Sequence, residues 1–294
     1  MEPLVSIGMS IFNCGKTLCP TVRSLLNQAY ENWELILIDD GSTDNTLRLA
    51  GSFNDPRIKL ISDGTNRKLA ARLNQAVALS RGKYFARLDG GDVAYPERLA
   101  VQVRFLEAHP QVDLVASRII IFSGEGSVIG SYIYRETHEK ICRRPGASFY
   151  LPHPTWMGRV EWFRTHRYRE DMDKAQDEEL LLRTYRNSCF ACIPDILLGY
   201  RKDFLSLNAI LHTRYCLSLA LLKRAYLDRH PRMAVGVLEH ALKALIEIFS
   251  ITTGLDYRVL RHRSIPVEEA EIVRWEQVWR DCNQRNDCLD RTER

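Results

Sequence analysis

No stretch of this chain reaches about 18 consecutive uncharged apolar residues, so a membrane-spanning helix is not expected. Its start, Met1-Glu2-Pro3, has neither the basic nor the apolar region of a secretory leader. No GxGxxG follows the first apolar run, and no GxxxxGKS/T occurs. The dinucleotide fingerprint and the P-loop are therefore both excluded. Charge of one sign is scarce as well: a formal +4 over 294 residues is too little to argue for nucleic acid. The eight cysteines, at 14, 19, 142, 189, 192, 216, 282 and 288, form no disulfide framework. Cys189-Phe-Ala-Cys192 is a lone CxxC with no second pair and no neighbouring His, and it reads as two half-buried thiols. A reducing cytoplasm is the expected compartment.

At 45% hydrophobic and 27% charged, the composition supports a core that needs no disulfides. The length allows one large domain with a smaller addition. The apolar runs Val5–Ile11, Trp33–Ile38, Ile58–Ile61 and Tyr84–Leu88 read as strands. Between them, Thr17–Gln28, Thr46–Phe53 and Lys68–Ser80 carry helical spacing, as does Pro96–His109 after them. Strand alternating with helix predicts an α/β fold, a mostly parallel sheet with helices on both faces. Val112–Phe122 adds a strand or two, Asp177–Tyr185 a helix, and Phe190–Ile196 and Leu198–Tyr200 two short strands. Beyond about Leu207 the pattern turns helical, over Leu207–His230, Met233–Ile251 and Glu268–Asn283, and Asp287–Arg294 reads as a frayed end.

Carboxylates gather where strands end, which in an open α/β sheet is where ligands bind. The run Ile38-Asp39-Asp40-Gly41-Ser42-Thr43-Asp44 offers acceptors for ribose hydroxyls or a base N–H. The plainer reading is a solvated turn with Asp44 capping a helix. Asn66-Arg67-Lys68-Leu-Ala-Ala-Arg72-Leu-Asn74 puts a guanidinium on the first turns of a helix, which suits a diphosphate or a solvated basic face. Asp89-Gly90-Gly91-Asp92 lets two carboxylates converge on a hard cation, or simply makes a turn before the next helix. Ala175-Gln176-Asp177-Glu178-Glu179 heads a helix. A carboxylate there is expected to have its pKa lowered by the helix dipole and to stay ionised at pH 7, able to take a proton from a sugar hydroxyl.

Together with His153-Pro154-Thr155 and Ile193–Arg201, and in this order and spacing, these motifs resemble the family 2 glycosyltransferases. These are the inverting GT-A group that builds bacterial surface polysaccharides. The resemblance covers about residues 4–202. It implies that Ser10, Phe12, Asn13, Asp39 and Asp40 hold the base and ribose of a nucleoside-diphosphate sugar, with Asn66 in the following loop. It also implies that Arg72 sits near the diphosphate and that Asp89 begins the metal-binding DxD element. Asp177 would be the general base, with His153, Gln176 and Glu178 on the acceptor side. Two positions depart from the family pattern. Gly91 stands where the second DxD carboxylate usually is, which leaves Asp92 as the second ligand for Mn²⁺ or Mg²⁺. Lys68 stands where glycine is common, and would add positive charge near the diphosphate.

The expected organisation is a GT-A domain over residues 1–203 and a helical region over 204–294. The expected reaction is sugar transfer, with a UDP-sugar as the expected donor, to a hydroxyl of a glycan or a polyprenyl-diphosphate-linked acceptor. An alternative is a nucleotide-sugar-binding protein whose catalysis is weakened by the altered DxD. A nucleotidyltransferase would want a glycine-rich basic loop after the first strand, for which Asn13-Cys-Gly-Lys16 is a thin substitute. Residues 201–265 hold 11 Lys/Arg against 5 Asp/Glu, a local excess of 6 positive charges. Their basic amphipathic helices suit peripheral contact with the inner face of the cell membrane, closure over the catalytic domain, or a dimer interface.

Overall fold

The first two strands, β1 (Val5–Ile11) and β2 (Trp33–Asp39), bury both of their faces, so they lie in the middle of a sheet covered on each side. Alternation sorts their side chains. Val5, Ile7, Met9, Leu35 and Leu37 join one core, while Ile36 and Ile38 join another on the opposite face. The first core is closed by α1 (Leu18–Leu26) through Leu18, Val22 and Leu25, and by α4 (Arg98–Ala108) through Leu99, Val103 and Leu106. The second is closed by α3 (Lys68–Leu79), α6 (Val160–Thr165) and α7 (Gln176–Thr184), with Leu73, Phe163 and Leu180 fully buried. This computed structural model describes residues 2–202, 207–227, 232–253 and 264–283.

The nine-stranded sheet runs β3-β2-β1-β4-β8-β6-β9-β5, with β7 also paired to the end of β6. Here β3 is Ile58–Ser62, β4 Tyr84–Arg87, β5 Val93–Ala94, β6 Leu114–Ser123, β7 Ser127–Gly130, β8 Met157–Arg159 and β9 Phe190–Arg201. The half from β3 to β4 is parallel, as expected. The other half is mixed: β8 is antiparallel to both β4 and β6, β5 to β9, and β7 to β6, while β6 and β9 are parallel. The two short strands expected over 190–200 are one strand, whose register against β6 slips between Ser117 and Ile119, opposite Pro194 and Asp195. The helix expected over Thr46–Phe53 is the shorter α2 (Thr46–Ala50). Register places the carboxyl ends of β1, β2 and β4 side by side, Ile11 opposite Asp39 and Gly8 opposite Arg87, and the candidate residues gather there.

The C-terminal helices are tied into this sheet. The last, here α10 (Glu269–Asn283), brings Trp275 to complete burial against Phe122, with ring centroids 4.6 Å apart, and the indole donates to Gly126 O at 2.8 Å. Val93, Ile120 and Ile196 share that core. α8 (Leu207–Leu227) adds Leu217, Ala220 and Leu221 to the core beneath α7, and α9 (Arg232–Thr252) pairs with α8 through Arg214 and Glu247. The boundary expected at 203 and the polar end over 287–294 lie outside the described residues.

Trp275 fits because residue 199 has no side chain: a Cβ there would lie 2.1 Å from the indole ring. Gly199→Ala should therefore cost about 1–3 kcal/mol by overpacking. Trp275→Ala should cost about 3–5 kcal/mol through the cavity it leaves. Urea midpoints of the two variants check both, and an unchanged midpoint for Gly199→Ala would show that α10 docks more loosely.

Candidate active site

Four non-glycine residues have positive φ: Asn13 (47°), Lys68 (71°), Tyr150 (51°) and Ala175 (56°). All four stand in loops that carry candidate residues. Such conformations cost about 1–3 kcal/mol each, less for Asn, and persist where surrounding contacts over-determine them. At Asn13 those contacts are explicit. Its Oδ1 accepts from Thr43 N–H at 2.8 Å, and its own N–H donates to Ser42 Oγ at 3.1 Å, clamping the β1 end to the turn after β2. Ser10 is half-buried within β1, and Phe12 beside it leaves 49% of its surface exposed, a ring face free to cover a planar base.

Asp39 and Asp40 are both buried. Asp39 accepts from Ser62 Oγ at 3.0 Å and from Ser42 N–H at 3.3 Å. Asp40 takes the first N–H groups of α3, from Arg67 at 2.7 Å and Lys68 at 3.1 Å, and the Arg72 Nε–H at 2.8 Å. The bond to Asp40 holds Lys68 in its left-handed conformation, with its side chain left exposed beside Asn66, also exposed. Asp44 adopts its plainer role, accepting from Thr46 N–H at the start of α2.

Arg72 departs from expectation. Its side chain is fully buried, and all five N–H donors are taken by the protein: Asp40, both oxygens of Asp63, Gln75 Oε1 and Thr65 O. A guanidinium so committed braces the loop over Asp63–Arg67 and presents nothing outward to a diphosphate. The helical spacing that placed Arg72 near the front of α3 does not say on which face of the helix the ligand lies.

The second cluster forms after β4. Asp89 is part-exposed, with one oxygen held by Arg87 Nη2 at 2.5 Å. Asp92 is buried; its Oδ1 accepts from Arg201 N–H at 3.0 Å, while its Oδ2 is buried without a partner. Burial, and then Asp89, push its pKa well above the carboxylate range. A buried orphan oxygen of this kind calls for a proton or a cation. Among the described residues no three His, Cys, Asp or Glu side chains form a self-sufficient metal cage. A nucleotide-bound divalent ion needs none, since one or two carboxylates plus substrate phosphates suffice. Asp89 and Asp92 together fit that requirement. Gly91 is not in the left-handed region, and a Cβ there would meet only ordinary contacts at 3.6 Å or more, so a carboxylate is sterically allowed.

The third cluster forms at the head of α7. Gln176 is buried at the first position of α7, and Asp177 follows with 31% of its side chain exposed. Contrary to the expected lowering, Asp177 has its pKa raised. Desolvation is the largest cause, and it outweighs the N–H groups of the helix start and the Arg87 cation. His153 Nδ1 stands 4.0 Å from Asp177, and its Nε2 is 2.9 Å from the Tyr168 hydroxyl. Burial, helped by Arg87, drives the His153 pKa well below its usual value, so the imidazole is neutral at pH 7. Burial likewise keeps Tyr168 protonated. Glu178 is pushed up to about 8 by burial and by Asp177, and Ser148 Oγ lies 3.4 Å from it.

One group links the second and third clusters. The Arg87 cation interacts with Asp89, Tyr168, Asp177 and Asp92, and two of its nitrogens, Nε and Nη1, are buried without partners. Sequence reasoning assigned it no role, although a charge in the buried strand Tyr84-Phe-Ala-Arg87 was a visible anomaly. Tyr168 and Arg201 were also missed. Tyr168 belongs to no motif, Arg201 only closes the run Ile193–Arg201, and both arrive from distant segments. In the CxxC, Cys189 is half-buried and Cys192 buried, and burial raises both thiols, Cys192 to about 12.

The chain is similar to known glycosyltransferases. EpsE of Bacillus subtilis, named as a glycosyltransferase, is 40% identical over 189 residues, 62% of this chain and 67% of that protein. WfgD of Escherichia coli is named as a UDP-Glc:alpha-D-GlcNAc-diphosphoundecaprenol beta-1,3-glucosyltransferase. It is 30% identical over 145 residues, 49% of this chain and 56% of that one. The crystal structure of S. aureus TarS 1–349 in complex with UDP superposes with a TM-score of 0.59 at 18% identity, covering 95% of this chain and 79% of that chain, a likeness of fold. The family described as "Glycosyl transferase family 2" matches residues 6–167, more than half of the 294. The chain belongs to glycosyltransferase family 2.

Proposed function

We propose that the protein transfers a sugar from a nucleoside diphosphate, with UDP the favoured nucleotide, to a hydroxyl of a glycan or lipid-linked glycan in surface polysaccharide synthesis. The observation that carries this reading is the Arg87 cluster, in which Asp89 and Asp92 share one electrostatic neighbourhood with Asp177. The UDP complex of TarS and the lipid-linked acceptor named for WfgD support the choice of partners. Residues of the β1 and β2 ends receive the nucleotide: Phe12 against the base, and Ser10, Asp39 and Asn66 toward base and ribose. Asn13, Asp40 and Arg72 hold those loops. Asp89 and Asp92 would hold Mn²⁺ or Mg²⁺, which when bound neutralises charge on the leaving diphosphate.

Asp177 takes the proton of the acceptor hydroxyl as that oxygen attacks the anomeric carbon opposite the leaving group, so configuration inverts. Its raised pKa suits it to proton abstraction once it is ionised. Neutral His153, held by Tyr168, keeps a second cation away from Asp177 and leaves its basicity intact. Gln176 packs beneath the base.

Asp177→Asn should keep the thermal shift produced by UDP but lower transfer by roughly 10²-fold or more. Near-native turnover would pass the role to Glu178. The base must be ionised to act, so kcat/KM should fall as pH decreases through its pKa. Because burial raises that pKa, the acid limb should lie above the value of about 3.9 for a free Asp. A limb at or below that value would contradict the assignment.

Asp89→Ala should abolish transfer, and Gly91→Asp should retain it with equal or tighter Mn²⁺ dependence. Full wild-type activity in EDTA would refute the metal assignment and leave the exposed Lys68 as the remaining counter-charge.

Peripheral membrane contact belongs to the same proposal. Among the described residues no helix is long and apolar enough to cross a membrane. Yet α9 exposes Val235, Leu238, Leu242, Leu245 and Phe249 at successive helical spacings, and α8 exposes Tyr215, Leu219, Leu222 and Tyr226. The basic run Arg258–Arg263 lies outside the described residues. Sedimentation with anionic liposomes should show binding that weakens with salt, as the Debye length drops from about 10 Å at 0.1 M to about 3 Å at 1 M. A salt-resistant remainder should be lost in Leu238→Ser/Leu245→Ser. Absence of binding to both anionic and neutral vesicles would overturn the membrane reading alone.

A further inference from the structure

Outside the clusters above, cations converge on one groove. Two adjoining hollows of about 500 and 300 Å³ lie along residues 134–150 and share Arg135, Lys140 and Arg143, with Arg144 joining at the inner hollow. Glu136 is the one carboxylate on the wall, at the outer hollow. Among the described residues Arg135, Lys140 and Arg143 pair with no carboxylate, while Arg144 is bridged to Glu239 of α9. Bringing unpaired cations together is unfavourable unless an anion compensates them.

The groove is built. α9 fastens its inner wall: Gly236 packs on Gly146, His240 Nε2 lies 3.2 Å from Gly146 O, and Lys243 Nζ donates to Ala147 O at 3.3 Å. Tyr150, in its left-handed conformation, donates its N–H to Ser148 Oγ at 3.2 Å and carries the Arg135 guanidinium 5.4 Å from its ring centre. Ser148 in turn faces Glu178, the residue after the proposed base. Ser148, on the wall of the inner hollow, thus joins the groove to the head of α7.

We propose that this groove is a phosphate-binding subsite for the acceptor, with Arg135, Lys140 and Arg143 holding a phosphate or diphosphate group while the acceptor hydroxyl reaches Asp177. This rests on the transferase reading above. Several cations suit a group carrying more than one negative charge, and the guanidinium forks of Arg135 and Arg143 suit its oxygens. Glu178 supports the arrangement: its pKa of about 8 leaves it largely uncharged at pH 7, so it does not repel an incoming anion. The exposed apolar stripe of α9 lies on the helix face opposite Gly236, His240 and Lys243, so α9 offers an apolar surface close to the groove to the carrier of such a group.

The test titrates the full chain, in EDTA and excess UDP, with geranyl diphosphate and with glycerophosphoglycerol. The first stands for a lipid-linked diphosphate and the second for a phosphodiester glycan. At least one should bind saturably, and the tighter one names the source. Arg135→Gln/Arg143→Gln should weaken it by about tenfold or more, with an unchanged thermal midpoint. Lys140→Gln alone should weaken it too, which keeps the test decisive if the double variant misfolds. Unaltered affinity in these variants, or no saturable binding of either probe by the wild type, overturns the proposal. Stabilisation by UDP is read in parallel, with Mn²⁺ in place of EDTA. Its absence from the wild type refutes the donor-site reading, while the groove is still judged by titration. Its loss only in the arginine variant assigns those residues to the donor site and overturns the groove.

Discussion

Arg87 is the constraint around which the site is arranged. Its guanidinium is buried at the end of β4, and a buried charge is tolerated only where opposite charge compensates it. Asp89 supplies a direct bond, and Asp92 and Asp177 supply field. The dependence is mutual. Three carboxylates from two distant segments share that cation, and it adds to burial in lowering the His153 pKa. Arg87 Nε and Nη1 and Asp92 Oδ2 stay buried there without hydrogen-bond partners.

The ends of β1 and β2 are built on a different principle. Its carboxylates are satisfied within the protein. Asp40 and Arg72 lock the front of α3 to the end of β2, and Asn13 locks the end of β1 to the same turn. The left-handed residues Asn13 and Lys68 lie within these locks. A pre-formed loop set of this kind spends little ordering entropy when a ligand arrives. Left-handed residues recur at Tyr150 on the groove wall and at Ala175 before α7.

The helices beyond residue 207 have two roles. α10 closes the far edge of the sheet through Trp275, and α8 closes the core under α7. α9 fastens the loop over 144–147 beside the acceptor side, and its outer stripe is left apolar. Opposite faces of one helix thus differ: one makes contacts within the fold, the other stays exposed and apolar.

Periodicity and strand-end chemistry by themselves determined the α/β alternation, the parallel half of the sheet, the two-sided burial of β1 and β2, and the gathering of Asp39, Asp40 and Asp89 at strand ends. Those properties are local, carried by residues two to four positions apart. The order and direction of the later strands were decided only by the packed chain. So were the docking of α10 on Gly199, the inward turn of Arg72, the upward shift of Asp177 and the role of Arg87. Each depends on groups far apart in sequence. Arg72 is captured by Asp40 and Asp63, and Asp177 is desolvated by neighbours from other segments. A motif states which side chains are present and how far apart they are spaced. Burial and charge balance, which set what those side chains do, exist only once the segments have met.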